Sequence, residues 1–333
     1  MKRTTIMKTV LACMLAIPMT VTAVDDNTVE IIYNGSTATV TIANNISSYV
    51  TVSSGTSSHV KIVQNASFAG VDATTDNEDG EIIYSLSGTS SDGEFYMEGS
   101  YKCTVELNGL TLTNPSGPAL NIQNGKRIEV SAKKNTTNTI TDGANEDYNG
   151  CYHAKGHTKF KGKGTLNVVG NSKHAIYSKE YIEVKNLTIN ITAAAKDAVH
   201  CKEYFLMESG TVNITGAGDD GIQVELKGDT STGETTGHDD EDSGNFYQED
   251  GTLSISGYDG KAIKADGTIT YTGGTQNFDT SDVADATGID AILTDDALET
   301  SRVFDLQGRQ TKASKSGLYI IQNGLKTHKV LVK

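Results

Sequence analysis

Apolar and polar residues alternate along most of the chain in short runs, each closed by Gly, Asn, Asp or Ser. A period of two marks strands that bury one side, and long amphipathic helices are hard to find. The runs also repeat. KHAIYSKEYIEVKNLTINITAAA, from Lys173, and KDAVHCKEYFLMESGTVNITGAG, from Lys196, align at an offset of 23, with Lys-Glu-Tyr at 179–181 and again at 202–204. A third copy opens at Asp219 (DDGIQVE) and resumes at Phe246 (FYQEDGTLSISGY), after a polar insertion over about 226–244. A fourth opens at Gly260 (GKAIKADGTITYTGG), and earlier copies open at Asn149 and Pro118.

Aligned copies give columns of constant chemistry. Tyr152, Ile176, Val199, Ile222 and Ile263 form an apolar column, and Ala154, Ser178, Cys201, Val224 and Ala265 a smaller one two residues on. A further strand carries Leu166, Ile189, Val212 and Leu253, then Val168, Ile191, Ile214 and Ile255. A unit this short cannot bury its apolar side alone and must stack on its neighbours. A β-sandwich has strands of similar spacing, but it does not repeat side-chain identity at a fixed offset. The prediction is an all-β, right-handed parallel β-helix with rungs about 4.8 Å apart.

Residues 24–100 are strand-like but less periodic, as expected of a cap and the first coils; 101–278 hold the repeats. The acidic stretch 279–300 reads as a linker, and 301–333 as a small β-sandwich-like unit. Residues 1–23 have the order of an export leader: Lys2, Arg3 and Lys8, an apolar run from Val10 to Met19, then Val21-Thr22-Ala23. No later segment is long and apolar enough to span a bilayer.

Composition narrows the chemistry. Gly is abundant, Pro occurs three times, and Trp is absent, so broad aromatic platforms for neutral sugars are not expected. Beyond the leader, Cys103, Cys151 and Cys201 are odd in number and widely spaced, which makes neither a disulfide framework nor a cysteine zinc site. The formal net charge is −14, and loss of the leader would deepen it. Such a surface repels nucleic acid, and it meets an acidic polymer only through a metal ion or a local basic patch.

The turn entering the first strand carries the site signal. Gly150, His174, Asp197, Asp220 and Lys261 share one column; Asn149, Lys173, Lys196, Asp219 and Gly260 share the one before it. Asp197 and Asp220 thus lie one rung apart with Asp219 beside them, and carboxylates so placed share a calcium ion without bending the backbone. Next come the small residues Cys151, Ala175, Ala198, Gly221 and Ala262, then His153, Tyr177, His200, Gln223 and Lys264, then Lys155, Lys179, Lys202, Glu225 and Asp266. These suggest a shallow groove along the axis. A linear polyanion would meet Lys179, Lys202, Lys264, His174 and His200 there, with Tyr177 against a sugar ring. The insertion, with Asp229, Glu234, His238 and Asp239 to Asp242, reads as a solvated acidic loop.

The segments GPALNIQNGKRIEV, TTNTITDG, KGKGTLNVVGNSKHAIYSK, KDAVHCK and GDDGIQVE occur in an order that resembles the secreted bacterial carbohydrate-binding β-helix proteins of the clostridial polygalacturonate-binding type. The resemblance runs from Thr28 to Gly274. It implies a fold similar to family 9 polysaccharide lyases, calcium at Asp197, Asp219 and Asp220, and an acidic plant polysaccharide as ligand. YDGKAIKADG departs from the GDG-type acidic motif of the family, with Lys261 in the aspartate column and Asp259 two residues earlier. VFDLQGRQ, GLYII and KVLVK resemble type IX secretion sorting domains, which implies export across an outer membrane and then release or surface attachment.

The leading expectation is an extracellular, calcium-dependent, non-catalytic and monomeric binder of acidic polysaccharide. One alternative is a calcium-dependent lyase, with Lys261 or Lys264 taking the C5 proton of a uronic acid once calcium lowers its pKa. The other is a surface adhesin in which calcium only stabilises the solenoid.

Overall fold

The computed structural model describes residues 24–65, 81–144, 146–228, 242–285, 291–293, 302–311, 317–323 and 326–332. The export leader and most of the acidic insertion lie outside the described residues. The chain coils into a parallel β-helix with three faces. The first is a ten-stranded sheet whose long middle includes Leu120–Asn124, Gly150–Ala154, His174–Ser178, Val199–Lys202, Ile222–Glu225 and Ile263–Ala265. The other two faces are joined into one sixteen-stranded sheet by Cys103–Asn114. One end of that strand pairs with Ile128–Ala132 and the other with Thr139–Asp142. It bends at Gly109 (φ +77°), where the Asn138 side chain accepts the N–H groups of Gly109 and Leu110.

The register is the one the repeat dictates. Tyr152 pairs with Ile176, Ile176 with Val199, Val199 with Ile222, and Ile222 with Ile263, all parallel. On the third face Leu166, Ile189, Val212 and Leu253 stack likewise. Parallel pairing of successive repeat copies at equivalent positions excludes a sandwich for this region. The columns point inward and are fully buried, each aliphatic side chain contributing about 1.5–3 kcal/mol. Identical residues also stack outside the core: Asn213 donates to Asn190 and Asn190 to Asn167, at 2.9 Å each.

The first coils close differently. Thr28–Asn34 pairs antiparallel with Thr37–Ile42 and Val50–Val52 antiparallel with His59–Gln64, which covers an edge the solenoid would expose. At the far end Val283–Ala284 still pairs with Ile263 and Lys264. Ala291–Leu293 joins Arg302–Phe304, Gln310–Thr311, Gly317–Asn323 and Lys326–Val332 in one five-stranded sheet, so two short strands fall within the stretch read as a linker. The Asp242 carboxylate accepts the N–H groups of Lys227 and Gly228, both at 2.7 Å, so the described residues on either side of 229–241 meet. Among the described residues, no helix is long and apolar enough to cross a membrane.

Candidate functional site

Each coil turns from the third face onto the first at a corner, and the corner sets which side chains face out. The small residues predicted to floor a groove do not: Cys151, Ala175, Ala198 and Ala262 are 0% exposed, and a Cβ at Gly221 would lie 2.6 Å from Ile255 Cγ2. The turn breaks the two-residue alternation, so Ala175 and Ile176 both point inward. Their small size lets the corner close. The outer wall is built instead from the aspartate column and the His153 column.

The sequence-predicted acids do converge. Asp197 Oδ1 accepts the Asp220 N–H at 3.1 Å, and Asp220 Oδ1 accepts the Lys261 N–H at 2.7 Å, so each carboxylate is tied to the next coil. Asp197, Asp219 and Asp220 bring ligand oxygens within 4.8 Å of one another. Calcium binds oxygen at about 2.3–2.6 Å, so oxygens sharing an ion lie at most about 5 Å apart, and the set fits. Two further features favour a cation. Asp220 Oδ2 is sealed from water without a hydrogen-bond partner. Gly260 lies so close that a Cβ there would sit 2.4 Å from Asp220 Oδ1 and 2.7 Å from Asp219 Oδ1. Burial raises the Asp220 pKa; the Lys261 N–H and the Lys264 ammonium oppose this, and the charges of Asp197 and Asp219 add to it.

Histidines flank the same acid. Asp197 Oδ2 is 2.9 Å from His200 Nδ1 and 3.2 Å from His174 Nδ1, and all three residues are buried. His174 Nδ1 lies outside hydrogen-bonding alignment with that oxygen. Burial alone would raise the Asp197 pKa, but the adjoining imidazoles outweigh it and hold the group well below the usual carboxylate range. Burial lowers the His174 pKa, and Asp197 offsets this only in part. The sequence reading had each of these residues in a column but did not join them; the signal was Asp197 three residues before His200 and one rung below His174.

At the opposite corner, where the first face turns onto the second, lies a group the sequence reading missed. His157 Nε2 is 2.8 Å from Glu180 Oε2 and 3.4 Å from Glu203 Oε2, while Lys227 Nζ reaches Glu180 at 2.9 Å and Glu203 at 3.1 Å. Glu203 holds a left-handed backbone (φ 67°) and accepts the Tyr181 N–H, and His157 stacks on the Tyr181 ring at 4.2 Å. The repeated Lys-Glu-Tyr was the signal, because it sets two glutamates one rung apart and so calls for a cation. Burial opposes charge on His157, but the two glutamate carboxylates beside it prevail and its pKa is raised.

The predicted ligand-facing residues divide. Tyr177 is stacked between His153, at 5.1 Å, and His200, at 5.4 Å, so its faces are covered and it offers no platform to a sugar ring. Burial, with the charges of Lys179 and Lys173, pushes the His153 pKa down to about 4. Lys179 is exposed, Lys202 pairs with Glu225 at 3.1 Å, and Lys261 turns away to Asp282 at 2.9 Å. Lys264 Nζ stands 3.4 Å from Asp220 Oδ2. Burial would lower its pKa, yet Asp220, Asp219 and Asp197 raise it and keep the ammonium charged.

Three comparisons bear on this arrangement. A family model described as carbohydrate-binding domain-containing protein matches residues 69–318. A solved structure of a polysaccharide lyase-like protein from C. thermocellum, a gadolinium derivative, superposes with a TM-score of 0.53 at 18% identity, over 78% of this chain and 99% of that one. At that identity the likeness shows a common fold. A search of curated proteins returns no match.

Proposed function

The chain belongs to the carbohydrate-binding domain-containing proteins, and from that premise we propose that it is an exported, calcium-dependent binder of acidic polysaccharide of the pectate or polygalacturonate type that does not cleave its ligand. The observation that carries this reading is the convergence of Asp197, Asp219 and Asp220, with a buried Asp220 oxygen that accepts no hydrogen bond and has only the Lys264 ammonium, at 3.4 Å, beside it. Three carboxylates around a dication leave one excess negative charge, and the open positions of the ion accept a sugar carboxylate. A chain of formal charge −14 needs such a mediator to approach a polyanion. Lys155 and Lys179, both exposed on the same wall, supply local positive charge to ligand lying across it.

The lyase reading keeps one observation in its favour, the placing of Lys264 beside the acids. A general base must be neutral to accept a proton, and in the calcium-free chain the ion pair with Asp220 favours the charged ammonium. The test is retention on a polygalacturonate gel in calcium and in chelator, with Asp219→Ala as the variant because that side chain is exposed. Retention in calcium, lost in chelator and in the variant, is expected. Undiminished retention in chelator would overturn the calcium reading. Growth of the ultraviolet absorbance of unsaturated uronates, abolished in Lys264→Ala, would overturn the non-catalytic one. Stabilisation by calcium without retention on the gel would leave the adhesin.

A further inference from the structure

We infer that His174, His200 and Asp197 form a second cation site, selective for a borderline divalent transition metal of the zinc class, next to the all-oxygen site and sharing Asp197 with it. The donor set is the first ground. Two imidazoles and one carboxylate suit zinc, cobalt, nickel or copper, whereas calcium prefers oxygen throughout. The spacing is the second. Ligands about 2.0–2.1 Å from such an ion, at angles near 90–110°, lie about 2.9–3.4 Å apart. The Asp197 Oδ2 to Nδ1 distances of 2.9 Å for His200 and 3.2 Å for His174 fall in that interval.

Two independent observations point to a ligand. His174 is 8% exposed, and its Nδ1, 3.2 Å from Asp197 Oδ2, makes no aligned hydrogen bond, so a buried ring nitrogen faces the position an ion would take. On the far side of His200, Nε2 lies 3.4 Å from Glu225 Oε2, itself held by Lys202 at 3.1 Å. His200 Nδ1 donates to Asp197 Oδ2 at 2.9 Å, and a metal ion bound there would replace that proton while Glu225 accepts the N–H of Nε2, as second-shell carboxylates do for metal-bound histidine. The contrast with His157 is instructive, because Lys227 already supplies the cation of that cluster. Among the described residues, no ammonium or guanidinium group is within ion-pair distance of Asp197. Three protein ligands leave a position open for a sugar oxygen.

Only Asp197 is common to the two sites, so variants at His174 and His200 test this one and variants at Asp219 and Asp220 test the calcium reading. The experiment titrates the untagged full chain with cobalt(II) alone and follows its visible ligand-field absorption. One equivalent is expected, displaced by zinc and not by excess calcium. The signal should vanish in His174→Ala and in His200→Ala and persist in Asp219→Ala. If an alanine variant does not fold, His200→Gln keeps the volume and removes the Nδ1 ligand. Absence of cobalt binding by the unaltered chain would overturn the inference. So would binding that survives in both histidine variants, or binding lost in Asp219→Ala but kept in His200→Ala. Calcium titration of the same variants reports separately on the carboxylate site.

Discussion

Two histidine–carboxylate clusters sit at opposite ends of the same first-face strands, and they differ in where their positive charge comes from. At the outgoing corner His157, Glu180 and Glu203 are closed by Lys227 from the chain itself. At the incoming corner His174, Asp197 and His200 adjoin Asp219 and Asp220, and the nearest lysine, Lys264, reaches only Asp220. Stacking like residues one rung apart concentrates charge wherever the repeated residue is acidic. A chain that supplies its own counter-ion makes a structural clasp. A chain that withholds it makes a site.

The comparison breaks most decisively at Lys227. Lys227→Met leaves two buried carboxylates without their ammonium, and removal of one partner of a buried pair costs about 3–5 kcal/mol. Lys227 retains 22% exposure, so a loss of about 2–3 kcal/mol is expected in urea unfolding. No loss would mean the two clusters are not distinguished by this residue. At the other corner, Gly260→Ala drives a methyl group between the Asp219 and Asp220 carboxylates. Calcium affinity should fall at least about tenfold, roughly 1.4 kcal/mol, by calorimetric titration.

The two histidines should give opposite pH slopes, measured in chelator as melting temperature. His157 has a raised pKa in the folded state, so its contribution is complete below the unfolded value of about 6.5 and is lost as pH rises through the raised one. His174 has a lowered pKa, so its contribution is lost as pH falls below about 6.5. His157→Gln should therefore destabilise more at pH about 6 than at pH about 8, and His174→Gln the reverse. Equal slopes would show that the two environments are alike. The smallest effect is expected at exposed Lys179, where alanine should weaken gel retention two- to threefold, about 0.5 kcal/mol, and less at high salt.

The coil and its register were legible because the apolar columns repeat at 23 residues and because parallel stacking converts sequence offset into contact; Ile176 over Val199 is the plainest case. Asp197, Asp219 and Asp220 followed from that register alone. The groove did not survive, because at a corner the alternation of in and out is interrupted, and nothing in Cys151 or Ala198 announces that it faces the core. Tyr177 was misjudged for a related reason. A single column shows an outward aromatic ring, but only neighbouring columns show that His153 and His200 cover it. The clasp at Glu180 and Glu203 was hidden because its fourth member, Lys227, lies where the repeat gives way to the insertion.

Asp242 has a consequence of its own. Its carboxylate holds the N–H groups of Lys227 and Gly228, which ties together the two ends between which residues 229–241 run in sequence. Lengthening a segment closed in this way adds only about 0.6 kcal/mol of closure entropy per doubling. The solenoid is thus a host into which a loop of different length or chemistry can be exchanged without disturbing a single rung.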